Sequence, residues 1–328
     1  MNLLVSHWTA LQFWRNATTL EIERTERCYL RSARRGVSSA ADVKCLEPEE
    51  SGLLFSKDHP LDVLVMSSDA RRCVADVAPH VWSEHFAHGS FRRLFEGSNI
   101  YISTPEFVFL QLAAKLDVVE LARLGNELCG GYSLLHTGEF IKREPLISRA
   151  DLARFIARSP EVPGKKRALE ALRWVTDNSN SPRETITLLA FCLPKRLGGF
   201  ALPIPVLNPE IEVNKRLLKY VEGTKYLPDF AWYIRRGNKR IIVTAEYDSH
   251  KWHDDEQRAE ATRIRRNQFK TMGALVTSIN KSQLKDAGRL EVAARQIARD
   301  LGLYRKEYSI SELMRTDALL RQLGVDEL

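Results

Sequence analysis

Asp229, Glu246 and Asp248 stand near the ends of one short stretch, LPDFAWYIRRGNKRIIVTAEYDSHKWH, residues 227 to 253. Two apolar runs, FAWYI and IIVTA, flank the turn signal Arg-Arg-Gly-Asn-Lys-Arg. Gly-Asn is a favoured two-residue hairpin loop, because both residues tolerate positive φ. With Gly237 and Asn238 as the loop, counting outward puts Asp229 directly opposite Glu246, where Cβ atoms lie roughly 4.5–5.5 Å apart. Glu246 and Asp248 are two apart on one strand and share a face. Three carboxylates therefore converge at one end of a hairpin. Opposed like charges destabilise a sheet, and a cation is the usual remedy. A small set of carboxylate oxygens suits Mg²⁺ or Mn²⁺. The competing reading is a structural carboxylate cluster held by arginines.

The neighbouring residues extend this chemistry. His250 and His253 follow in SHKWHDD. Three apart, they can face one site as ligand, base or phosphate contact; two exposed loop histidines is the bland alternative. Three acids and few histidines favour a hard, oxygen-bound ion over zinc. Glu184 sits in Ser-Pro-Arg-Glu, where a capping box explains it as well as a role at the acidic end does. Arg258, Arg263, Arg265, Arg266 and Lys270 lie on one charged helix after the acids. Arg258 and Arg265 fall on one face, placed for phosphate contact; a solvated face is the commoner fate of such a run.

Positioning these residues needs a domain. Ser181, Pro182 and Glu184 predict a helix over 181–193, with Ser181 as N-cap and Pro182 at the first helical position. GGFALPIPVL is a strand candidate, EVNKRLLKYVEG reads as helix, and the hairpin follows. A charged helix over 254–272, the strand ALVTSI and amphipathic helices over 283–301 and 309–323 complete it. Upstream, residues 1–60 mix short helical patterns with the Arg-rich YLRSARRG. LDVLVMSS, HVWS and NIYIS read as strands. Helices are expected from Thr104, over 118–128, from Ser148 to Ala157 and over 165–175. The prolines and glycine of RSPEVPGKKR and the polar DNSNS place a linker over 159–180. The predicted organisation is an α/β N-terminal domain over 1–158 and a second domain over 181–328.

Composition bounds the partners. At 328 residues, with 44% apolar and 28% charged residues, the chain is of ordinary globular type and long enough for two cores. No apolar run is long enough to span a bilayer, so no membrane partner is expected. The start, MNLLVSHWTALQFWRN, lacks a basic segment before a clean apolar one. Cysteines 28, 45, 73, 129 and 192 are odd in number and show no Cys-x-x-Cys. Together these predict a cytoplasmic protein. Net charge is +7, and residues 176–328 carry 26 Lys+Arg against 20 Asp+Glu. Six of the seven net charges thus accompany the hairpin, a mild footprint of a nucleic-acid partner.

The order of these pieces resembles the PD-(D/E)XK nuclease superfamily, nearest its very-short-patch-repair (Vsr-like) bacterial branch. The pieces are Ser-Pro-Arg-Glu before a helix, Leu-Pro-Asp-Phe, then VTAEYDSHKWH, then RRNQFKTMGALVT. They cover about residues 176–285. The resemblance implies a restriction-endonuclease-like mixed sheet flanked by helices, and a metal-dependent DNA endonuclease of phage defence or DNA repair. It implies that Asp229 and Asp248 bind the metal, that Glu246 is the second acid of the core, and that Glu184 is the helix acid. His253 becomes the site histidine, and Lys251 or His253 orients the water. Arg258, Arg265, Arg266 and Lys251 then meet DNA. Where the superfamily name has lysine, this chain has Asp248, and Ser249 replaces the usual following glycine. The alternative is a DNA-binding antitoxin or regulator with a non-cleaving nuclease domain. The stretch IYISTPEFVFLQLAAKLDVVELARLGNELCG is similar to AbiEi-type antitoxin and regulator proteins of toxin–antitoxin systems, which implies a partner- or DNA-binding N-terminal module.

Overall fold

The computed structural model describes residues 2–30, 52–71, 74–135, 137–213, 224–248 and 273–327. It is a mixed α/β structure that divides into two compact units, Met1–Val175 and Thr176–Leu328. The break falls within the 159–180 stretch.

The first unit is built on a six-stranded mixed sheet in the order β2-β5-β6-β1-β3-β4. Its strands are β1 (Leu3–Val5), β2 (Glu26–Cys28), β3 (Leu61–Val65), β4 (Val77–Val81), β5 (Phe91–Arg93) and β6 (Ile100–Ser103). β1 lies inside this sheet although the sequence suggests helix there. All three of its residues are buried, and a short apolar run buried on both sides carries no period to read. Helices α1 (His7–Asn16) and α2 (Thr19–Arg24) follow β1. Helix α3 (Pro105–Leu112) starts at proline as expected, but the Thr104 hydroxyl donates to Gly89 O at 2.8 Å instead of capping it. Asp117 and Glu120 form a reciprocal cap on α4 (Val118–Leu128), and Ser148 with Asp151 does the same on α5 (Arg149–Arg158). The small sheet of β7 (Tyr132–Leu134) and β8 (Phe140–Lys142) lies between these helices in sequence. Helix α6 (Lys165–Ala171) packs on α4, so part of the expected linker is core of the first unit.

The second unit opens with α7 (Pro182–Cys192). Its four-stranded sheet has the order β14-β13-β12-β9. β9 is Val206–Leu207, β12 is Phe230–Arg236, β13 is Lys239–Asp248 and β14 is Leu275–Asn280. β13 runs parallel to β14 and antiparallel to β12, and β12 is antiparallel to β9. The strand expected over GGFALPIPVL shrinks to two residues, because Pro203 and Pro205 have no N–H to give a ladder. One face of the sheet carries Phe230, Trp232, Val243 and Ala245, all buried. Phe230 meets Phe191 of α7 edge-to-face at 6.4 Å. The other face is partly roofed by a two-stranded ribbon of β10 (Ile211–Glu212) and β11 (Lys225–Tyr226). Buried Tyr226 and Ala274 pack there with Ile211, Ile242 and Val276.

The helix expected over 283–301 is two helices, α8 (Lys281–Leu284) and α9 (Ala287–Asp300). Asp286 breaks it by accepting Arg289 N–H at 2.8 Å, capping the second piece. Helix α10 (Ile310–Gln322) is capped by Ser309, which accepts from the Glu312 N–H. The expected helix over 254–272, and nearly all of EVNKRLLKYVEG, lie outside the described residues. Among the described residues no helix is long and apolar enough to cross a membrane.

Gly198 and Gly199 turn the chain back from the end of α7. Gly198 has φ +86°, and a Cβ on Gly199 would collide with the backbone at Leu193. Gly199→Ala is therefore expected to cost about 1–3 kcal/mol of stability; an unchanged urea midpoint would show that the turn has room.

Candidate functional site

The hairpin adopts the register read from its loop. Arg236 pairs with Lys239 next to the Gly237–Asn238 turn, and the ladder runs to Phe230 opposite Ala245. One step further, Asp229 stands across from Glu246. Gly237 has φ +59°, the positive backbone angle such a turn requires.

The two acids use their oxygens differently. Asp229 Oδ2 accepts the Tyr247 N–H at 2.6 Å. The carboxylate thus satisfies a backbone donor where the β12–β13 ladder has ended. Glu246 Oε1 accepts from the Tyr226 hydroxyl at 2.6 Å, and its other oxygen makes no hydrogen bond among the described residues. Tyr226 comes from the roofing ribbon, so the ribbon fixes the Glu246 side chain. Thr244 Oγ1, two residues back on the same face, is buried without a hydrogen-bond partner among the described residues. Asp248 ends β13 opposite Asn280 of β14, and Glu246 pairs with Ser278. The side chain of Asp248 lies outside what is described.

Glu184 is 8% exposed in the first turn of α7. Its N–H donates to Ser181 Oγ at 3.2 Å, as the capping reading requires. The carboxylate does not return to the Ser181 N–H. It accepts from Asn180 N–H at 2.8 Å and from Ser181 Oγ at 3.0 Å. A third donor, Asn208 Nδ2, reaches Glu184 Oε2 at 2.7 Å and also donates to Asn178 O at 2.8 Å. The Asn208 backbone N–H donates to Asp229 O at 3.1 Å. One asparagine therefore ties the start of α7 to the entrance of β12. Arg183 adds a second tie, its guanidinium lying 5.8 Å from the centre of the Tyr247 ring.

Asn208 and Tyr226 escape a reading of the sequence by charge and motif. Asn208 precedes Pro209, a turn signal, and holds a left-handed φ of 46° that asparagine tolerates better than most residues. Tyr226 stands three residues before Asp229, yet its partner emerges only once two strands pair.

Asp229 and Glu246 thus stand together at one end of the sheet, and Asn208 links Glu184 to the Asp229 backbone. Among the described residues no three His, Cys, Asp or Glu side chains are placed to hold a metal ion. His250, Lys251, His253, Arg258, Arg263, Arg265, Arg266 and Lys270 lie outside the described residues. Donor chemistry at the acidic end fits a hard cation: the Glu246 oxygen and Thr244 Oγ1 are oxygen atoms with unused acceptor capacity.

No family model matches this chain, and neither a curated protein nor a solved structure is significantly similar to it.

Asn208→Ala removes two side-chain donors, one of them to the buried Glu184 carboxylate. It is expected to destabilise the protein by about 1–3 kcal/mol, read from chemical denaturation. Full stability in that variant would mean that α7 and β12 are held without it.

Proposed function

We propose that the second unit is a metal-dependent DNA endonuclease of the PD-(D/E)XK, Vsr-like type. The observation that carries this reading is the opposed pair Asp229 and Glu246 beyond the end of the β12–β13 ladder, with Glu184 linked to the Asp229 backbone through Asn208. Two acids face each other where a sheet disfavours them, and a bound cation is the economical reason to keep them. A mixed sheet with α7 on one face, and the order α7, β9, β12, β13, β14, also support the reading.

Asp229, Asp248 and Glu246 would hold Mg²⁺ or Mn²⁺, which would supply charge neutralisation at a phosphate and a more acidic water. The chain does the rest. Asp229 is aimed by the Tyr247 N–H that it accepts. Glu246 is aimed by Tyr226 and keeps an oxygen to orient or deprotonate the attacking water, a duty that His253 or Lys251 can share. Glu184, buried and anchored by three donors, positions the start of α7 beside the acidic end. Arg258, Arg265, Arg266 and Lys251 bind the DNA backbone without reading sequence. Phage defence and DNA repair both use such an activity. The first unit then serves as a partner- or DNA-binding module.

A second reading is a DNA-binding antitoxin or regulator whose nuclease domain no longer cuts. Hydrogen bonding favours it in one respect: both Glu184 oxygens and one oxygen of Asp229 are committed to structural donors.

Plasmid nicking separates the two. Purified protein is expected to nick in Mg²⁺ or Mn²⁺ and not in EDTA. Asp229→Asn keeps an acceptor for the Tyr247 N–H but loses the charge, so it should retain the wild-type melting temperature and lose nicking at least a hundredfold. An Asp229→Asn protein that nicks at the wild-type rate sinks the endonuclease assignment.

A further inference from the structure

We propose that the open part of the sheet face bearing Asp229 and Glu246 is a platform for a single-stranded segment of nucleic acid, with Tyr233 as its stacking residue. This rests on the nucleic-acid reading of the acidic end and specifies the form of substrate that the end receives.

Strand parity supplies the geometry. Residues directly opposite in a ladder share a face, and every second residue along a strand returns to it. Tyr233 pairs with Ile242, Ala231 with Thr244, and Arg235 with Arg240. All of these share the face of Asp229 and Glu246. Val206 of the edge strand pairs with Ala231 and joins the same face. The β10–β11 ribbon roofs this face over β13 and β14, where Tyr226 packs with Ile242 and Val276. Toward the turn end of β12 and along β9 it is open: Tyr233 is 56% exposed, Val206 50% and nearby Ile204 43%, whereas Ala231 and Thr244, between Tyr233 and the acids, are buried. Trp232 Nε1, donating to Pro203 O at 2.7 Å, holds the Ile204 segment alongside β12.

Charge selects the occupant. Arg235 and Arg240 stand directly opposite each other, both exposed. Neither guanidinium meets a carboxylate among the described residues. Opposed like charges destabilise a strand pair, so this end of the hairpin is arranged for an anion. The open surface therefore joins two arginines to an exposed aromatic and two exposed aliphatic residues, and the two opposed acids lie beyond the buried Ala231 and Thr244. Asp229 and Arg235 are six residues apart on an extended strand, about 20 Å. A polyanion with flat apolar rings matches that open surface: phosphates at the arginines and a base on Tyr233, with the next phosphate reaching the acids only when they hold a cation. In a duplex, base faces are already stacked inside and unavailable to Tyr233. Bases of a single strand are free to stack, and aromatic side chains in basic grooves bind such strands with little regard for sequence.

The test is fluorescence anisotropy of the full chain, in EDTA so that nothing is cleaved, with a labelled oligo-dT strand, the same strand in duplex, and poly-glutamate. The wild type is expected to bind the single strand more tightly than the duplex, and poly-glutamate weakly. Tyr233→Ala should weaken single-strand binding about tenfold, Tyr233→Phe should restore it, and Arg235→Ala with Arg240→Ala should flatten its salt dependence. Tyr233 is exposed, so these variants should fold; melting temperatures check this. Wild-type affinity in Tyr233→Ala, equal or tighter binding of the duplex, or tightest binding of poly-glutamate overturns the platform. Nicking in Mg²⁺ is read separately: a protein that nicks while Tyr233→Ala binds normally keeps its active site and loses the platform. A protein that never nicks but needs Tyr233 for binding keeps the platform and loses the nuclease.

Discussion

The register of one hairpin governs the chemistry of the second unit. The Gly237–Asn238 turn fixes which residues of β12 and β13 oppose each other. A slip by one residue would send every side chain of a strand to the other face. In the observed register Phe230, Trp232, Val243 and Ala245 all enter the core. Asp229, Glu246, Arg235, Arg240 and Tyr233 then share the opposite face, two acids at one end and two arginines at the other. Burial of one face thus decides which residues the other face presents.

Neighbouring elements convert this layout into a positioned site. Tyr226 on the ribbon holds one oxygen of Glu246, and the Tyr247 N–H holds one oxygen of Asp229. Asn208 connects Glu184 on α7 to the backbone of Asp229. Each acid is therefore oriented by a group outside its own position, the arrangement that the proposed cation site calls for. Glu184 shows how one residue serves two ends. It caps its own helix and, through Asn208, aligns that helix with the strand carrying Asp229.

Much of this was legible in the sequence, for local reasons. The loop residues and the alternation around them gave the hairpin and the opposition of Asp229 to Glu246. Ser181-Pro182 marked the start of α7, and Ser309 the start of α10. What was hidden depended on partners distant in the chain. The pairings of Asn208 with Glu184 and of Tyr226 with Glu246 exist only after sheet and ribbon assemble. Strand β1 was obscured because three buried residues have no period. The break before α9 rests on one aspartate cap in an otherwise helical pattern, and the two-residue β9 on two prolines inside an apolar run. The histidine and arginines that complete the sequence reading, His253, Arg258, Arg265 and Arg266, belong to the stretch outside the described residues.

The central claim is that the opposed acids exist to hold a divalent cation. Calorimetric titration of Mn²⁺ into the full-length chain, compared with Glu246→Gln, tests it most directly. The account predicts saturable binding by the wild type and at least tenfold weaker binding by the variant, with the melting temperature of the metal-free protein little changed. Equal Mn²⁺ affinity in the two proteins, or no binding by either, would contradict it and leave the carboxylates as structural hydrogen-bond acceptors.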